Sequence, residues 1–131
     1  MPNRVALLGL LTLLAGCDER ERLTFPSNEP EAEGPVTTIT TPSADSFLTE
    51  GPPFIVAGRT VDEDGVDTVY FEVFGTGQGF PPLSGGGETT VSFGLPLPTL
   101  GLSGRTVTIR VHGVDLLGNE GATTIRHLMI E

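Results

Sequence analysis

From Val36 onward, apolar and polar residues alternate in short runs broken by Gly, Pro, Asn and Asp. A period of two is that of a half-buried strand, and no useful length of chain carries the 3.6-residue period of a helix. Six strands are predicted, over Val36–Thr41, Phe54–Val61, Thr68–Phe74, Thr89–Leu95, Arg105–Val114 and Ala122–Ile130. In the second, Phe54, Val56, Gly58 and Thr60 share a face. In the third, Val69, Phe71 and Val73 point inward, with Tyr70 and Glu72 outward. Val91, Phe93 and Leu95 turn inward in the fourth. Val107, Ile109 and Val111 do so in the fifth, with Thr108, Arg110 and His112 outside. The sixth is apolar on both faces, Ile125 and Met129 against Leu128 and Ile130, so its facing stays open. A seventh short strand is expected near Phe47-Leu48 or Leu83. Short strands at this spacing predict an all-β chain folded as an antiparallel sandwich of six to seven strands.

Before Pro35 the pattern is different. Arg4 precedes an apolar run, Val5–Leu14, that is too short for a membrane-spanning helix, which takes about 20 residues. A positive start and a short apolar core read as a signal peptide. Leu14-Ala15-Gly16-Cys17 follows and resembles the bacterial lipobox, an aliphatic residue and two small ones before Cys. The resemblance implies cleavage between Gly16 and Cys17 and acylation of Cys17, which anchors the chain through several acyl chains. Asp18 after it resembles the enteric signal for retention in the inner membrane. Residues 17–34 then carry many charges and only two large apolar side chains, Leu23 and Phe25. Such a segment buries too little to offset its ordering entropy, so it is expected to be a flexible acidic linker reaching about 50–60 Å when extended. The expected organisation is leader 1–16, lipidated Cys and linker 17–34, and sandwich 35–131.

Composition narrows the partners. Seventeen acids oppose seven Arg, with no Lys, for a net charge of −10. Loss of Arg4 with the leader gives 6 − 17 = −11 for the mature chain. Phosphate recognition needs clustered cations, so nucleic acid is not an expected partner. Cys17 is the only Cys, which excludes an internal disulfide and a Cys-based zinc site. There is no Trp.

Two stretches resemble bacterial Ig-like, cadherin-like and fibronectin-III-like modules. One is Val56–Val66, with its Asp62-Glu63-Asp64-Gly65 turn, leading into Val69–Val73. The other is Thr106–Val114 followed by Asp115-Leu116-Leu117-Gly118-Asn119. The resemblance covers about Val36–Glu131 and implies an Ig-like sandwich serving as spacer, adhesion unit or docking surface. It implies no activity, since one fold hosts many roles.

Candidate sites follow from chemistry. The resemblance puts the loops after the second and fifth strands at one pole, with Asp62, Asp64 and Asp67 near Asp115 and Asn119. Oxygen ligands suit Ca²⁺, which some cadherin-like relatives bind. The same residues suit plain turns, in which Asp and Asn bond the backbone and Gly65 and Gly118 take positive φ. The Gly75–Gly79 run is no phosphate cradle, because Phe80-Pro81-Pro82 follows where a helix must start. Phe80, Pro81, Pro82 and Leu83, between glycine-rich flanks, form a candidate docking loop. The two histidines, His112 and His127, lack a placed carboxylate and are expected at the surface. No nucleophile, elbow or acid–base pair supports catalysis. The expected protein is a non-enzymatic, lipid-anchored envelope component that contacts another envelope or surface protein and needs no cofactor. Calcium-dependent ligand binding is the alternative. Polysaccharide binding ranks lower, because Tyr70 is the only Tyr and Trp is absent.

Overall fold

A computed structural model describes residues 33–131. The expected leader, Cys17 and the linker up to Ala32 lie outside the described residues.

The described residues fold as a two-sheet β-sandwich of eight strands: β1 (Val36–Thr41), β2 (Ser46–Leu48), β3 (Phe54–Val61), β4 (Val66–Phe74), β5 (Leu83–Ser84), β6 (Thr90–Leu97), β7 (Thr106–Asp115) and β8 (Thr124–Ile130). One sheet has the order β1-β3-β6, the other β2-β8-β7-β4-β5. Both places considered for a seventh strand form one. All pairings are antiparallel except that of β2, which runs parallel to β8.

The core lies between the sheets and is aliphatic with a little Phe. Val56, Val66, Val69, Leu97, Val107, Ile109, Val111, Leu128 and Ile130 are fully buried. The alternating faces of β6 and β7 fill it as their sequences predict, and the face that Phe54, Val56, Gly58 and Thr60 share on β3 turns inward with them. Phe71 meets Phe93 edge-on at 5.3 Å across the two sheets. Phe93 also explains Gly58. A Cβ there would lie 2.5 Å from the Phe93 ring and 2.3 Å from the Thr38 carbonyl, so only glycine lets β1, β3 and the ring approach this closely. Thr37 and Thr60 form a polar pair inside, their hydroxyls bonding at 2.9 Å. Pairing removes the cost of burying either alone.

The facing of β8 is settled by burial. Leu128 and Ile130 point in, and Ile125 and Met129 are exposed. Thr124 and Arg126 share the inward set but lie at the seam between the sheets. There Thr124 Oγ1 donates to the Thr37 carbonyl at 2.6 Å. Arg126 donates through Nη2 to the Ile39 carbonyl at 2.8 Å and through Nε to the Pro42 carbonyl at 3.0 Å. The outer edge of β1 is thereby closed by side chains from the opposite sheet.

The apolar tip expected at Phe80–Leu83 is not free. Phe80 and Leu83 pack against the core, and Leu83 pairs with Val69 of β4. Hydrophobic burial and two residues of ladder turn the segment inward, leaving Pro81 and Pro82 exposed.

Candidate functional site

Two turns of the same design meet at one pole. In Asp62-Glu63-Asp64-Gly65 the first Asp accepts the Asp64 N–H on Oδ1 at 2.8 Å, and its carbonyl accepts the Gly65 N–H at 3.2 Å. In Asp115-Leu116-Leu117-Gly118, Asp115 Oδ1 accepts the Leu117 N–H at 2.9 Å and its carbonyl the Gly118 N–H at 3.1 Å. Gly65 and Gly118 have φ of 94° and 87°, the left-handed region that glycine enters without a Cβ penalty. A Leu116 N–H bond to the Gly65 carbonyl at 3.1 Å joins the two turns.

This junction brings Asp62, Asp64 and Asp115 together, with one carboxylate oxygen from each inside a 4.8 Å span. Asp62 and Asp115 are buried, and Asp64 is exposed. Burial opposes ionisation of Asp115, but it is outweighed by hydrogen bonds from the Asn119 side chain and from the backbone N–H groups of Asn119, Leu117 and Gly118. Together they hold its carboxyl below the usual carboxylate value. Asn119 supplies two of these bonds, Nδ2 to Oδ2 at 2.9 Å and N–H to Oδ1 at 2.8 Å.

Asp67, expected in the same cluster, stands apart from it. Register shifts between Val66 and Thr68, so Asp67 is the extra residue of a bulge. Its carbonyl accepts the Gly85 N–H at 2.7 Å and its carboxylate accepts the Thr68 hydroxyl at 3.0 Å.

The cluster fits an oxygen-liganded cation in part. Calcium takes six to eight oxygens, and three carboxylates converge here, two of them already accepting the N–H bonds that shape their turns. Beside them a cleft of about 440 Å³ opens between the start of β1 and the end of β3, lined by Glu33, Val36, Val61, Asp62 and Asp64.

A second feature, not foreseen from the sequence, is the outer face of the five-stranded sheet. It displays Phe47, Tyr70, Phe74, Ile125 and Met129, all large and exposed. Phe47 lies opposite Met129 across β2 and β8. Tyr70 stacks on His112 at 5.2 Å. His127 pairs with Thr108, four residues before His112 on β7, and the Thr108 hydroxyl is 3.0 Å from its Nδ1. The histidines are therefore separate. Arg110, between Glu72 and Ile125 in this register, keeps its Nε without a hydrogen-bond partner among the described residues. Alternation with Tyr70 and Glu72 already turns Phe74 outward, but Phe47 sits in a three-residue strand too short for alternation to assign a face, and its neighbour Met129 lies on the strand whose facing stayed open.

No family model and no curated protein matches the chain. Among solved structures, a point mutant of the SrpA adhesin from Streptococcus sanguinis matches at a TM-score of 0.47 and 15% identity, over 78% of this chain and 57% of that one. An engineered protein matches at 0.47 and 17% identity, over 77% of this chain and 21% of its own. The SrpA adhesin itself matches at 0.42 and 14% identity, over 79% and 60%. The chain spans less than two thirds of each of these three structures. Proteins this different have at most an outline of strands in common with it, and nothing of their binding is carried over.

Proposed function

We propose that the protein is a lipid-anchored module of the bacterial envelope that acts by non-catalytic contact with another envelope or surface protein. The observation that carries the contact is the outer face of the five-stranded sheet. Solvent-facing strands ordinarily present polar side chains, whereas Phe47, Phe74, Ile125 and Met129 place large apolar area in water. The lipobox-like Leu14–Cys17 supports the anchor. Labelled palmitate should enter the full chain and be lost, with membrane retention, in Cys17→Ser. Labelling unchanged by that substitution removes the anchor. A photo-reactive residue in place of Phe74 should form adducts in the envelope, and their absence removes contact through this face.

A second reading is calcium binding, favoured by the convergence of Asp62, Asp64 and Asp115. A site of Kd about 0.1 mM would add about 2.7 kcal/mol at 10 mM calcium. Asp64→Ala is the clean control, because the Asp64 side chain shapes neither turn. A melting curve that ignores calcium ends this reading.

A further inference from the structure

Toward the acidic pole, the outer face of the five-stranded sheet holds a groove of about 760 Å³ lined by Tyr70, His112, Val114, Gly118, Asn119 and Glu120. β7 carries His112 and Val114, and β4 sets Tyr70 opposite His112. The turn after β7 then brings Glu120 back beside Val114 in an isolated antiparallel bridge. An aromatic pair and a returning loop thus share the groove.

What the loop offers follows from where its donors go. The N–H groups of Leu117, Gly118 and Asn119 all bond Asp115, and so does Asn119 Nδ2, at 2.9 Å. The Leu116 N–H is spent on the Gly65 carbonyl. Acceptors remain: Asn119 Oδ1 and the exposed Glu120 carboxylate, neither of them bonded among the described residues. Beside them Tyr70 is 39% exposed, with His112 stacked on it. An aromatic ring face attracts cations through its quadrupole. Arg110, on the same sheet face, lies opposite Glu72 and does not line the groove.

This lining selects its occupant. An anion is repelled by Glu120. A sugar hydroxyl accepts as well as donates, and Leu116–Asn119 has no N–H left for it. A guanidinium only donates, lies flat on aromatic faces and is weakly hydrated, whereas an ammonium is a compact, strongly hydrated charge. The formal charge of residues 33–131, 4 − 12 = −8, steers a cationic surface toward the sandwich. We infer that the groove receives an arginine side chain of the partner protein, stacked on the Tyr70–His112 pair and hydrogen-bonded to Glu120 and Asn119 Oδ1. Arginine is a common anchor of protein interfaces. The inference rests on the contact reading above and deepens it by naming what the partner presents.

The test titrates N-acetyl-arginine amide into the full chain at low salt. Tyr70 is the only Tyr and there is no Trp, so tyrosine fluorescence reports this groove. His112 lines the groove and His127 does not, so the second histidine serves as an internal control by NMR. The probe should change Tyr70 fluorescence saturably and move the His112 ring signals, leaving those of His127 in place. N-acetyl-citrulline amide, similar in shape but uncharged, should bind at least about fivefold more weakly. Glu120→Gln should weaken the arginine probe by a similar factor with the melting curve unchanged. Glu131→Gln, which removes the same charge beyond the far end of β8, should not. In the envelope, Glu120→Gln should also lower the adduct yield of a photo-reactive residue at Phe74 at least about fivefold. No response to the probe, citrulline matching arginine, or Phe74 adducts indifferent to Glu120→Gln overturns the arginine site and leaves the contact reading standing. No adduct at Phe74 in the otherwise unaltered chain removes the contact reading and, with it, the partner named here.

Discussion

The two long edges of the three-stranded sheet are finished in opposite ways. At β1, the outward carbonyls of Thr37 and Ile39 are taken by Thr124 and Arg126 reaching across the seam from β8. At β6, the corresponding groups of Ser92 and Gly94 meet nothing among the described residues. Both strands are short and half-buried, and both pair along the same central strand, β3. The difference comes from which neighbour in the other sheet lies beneath. β8 brings a long guanidinium stem and a hydroxyl to the β1 side, whereas on the other side the sheet ends in the two-residue β5. Sealing an edge thus takes a donor of the right length from a different strand, and a propensity for strand alone does not supply one.

Arg126 gives the sharpest break. Arg126→Met keeps the apolar stem and removes the donors, leaving the carbonyls of Ile39 and Pro42 half-buried and unpaired. Charged hydrogen bonds of this kind are each worth about 1.5–3 kcal/mol, so urea unfolding should show a loss of about 2–3 kcal/mol after partial rescue by water. A loss below about 0.5 kcal/mol would mean that the seam is wet and that β1 is not sealed in the sense argued. Next comes the strand between the two edges. Gly58→Ala would set a methyl against the Thr38 carbonyl on one side and the Phe93 ring on the other, straining both pairings at once. Overpacking typically costs about 1–3 kcal/mol, and about 2 kcal/mol is expected here from the same unfolding measurement.

This contrast was only half legible in the sequence. Alternation located β3, β6 and β7 and assigned the buried faces of β6 and β7, whose other sides are mostly small or polar; on β3 it grouped Phe54, Val56, Gly58 and Thr60 on one face without saying which way it turned, since Ile55 and Val61 leave the other face nearly as apolar. It left β8 undecided, because Ile125 and Met129 are as apolar as Leu128 and Ile130. With Leu128 and Ile130 inward, Arg126 reaches the carbonyls of Ile39 and Pro42, a contact that depends on β1 lying across the seam, a fact of topology with no local signature. Val66 was missed as a strand residue for a related reason. The bulge at Asp67 shifts the alternation by one, and the same shift takes Asp67 away from Asp62, Asp64 and Asp115. The two turns were readable, since an Asp three residues before a Gly carries its own hydrogen-bond logic. The state of the β6 edge was not, since strand order and the inward packing of Phe80 and Leu83 are set by contacts far apart in the chain.

Thr124→Val should cost about 1 kcal/mol, the value of one hydroxyl bond to a half-buried carbonyl, and it should add to Arg126→Met with little coupling unless the seam opens as a unit. The smallest effect is expected on the open side. Gly94→Ala places a methyl in ordinary contact with Ile55, at a position where no left-handed φ is required. Alanine also narrows the unfolded ensemble, which favours the fold by about 0.4–1 kcal/mol where strain is absent. Monomer stability should therefore change by no more than about 0.5 kcal/mol, with a slight gain favoured. A loss as large as that of Gly58→Ala would mean that something already lies against the outer side of β6. The edge would then be closed like that of β1, and the contrast between the two would disappear.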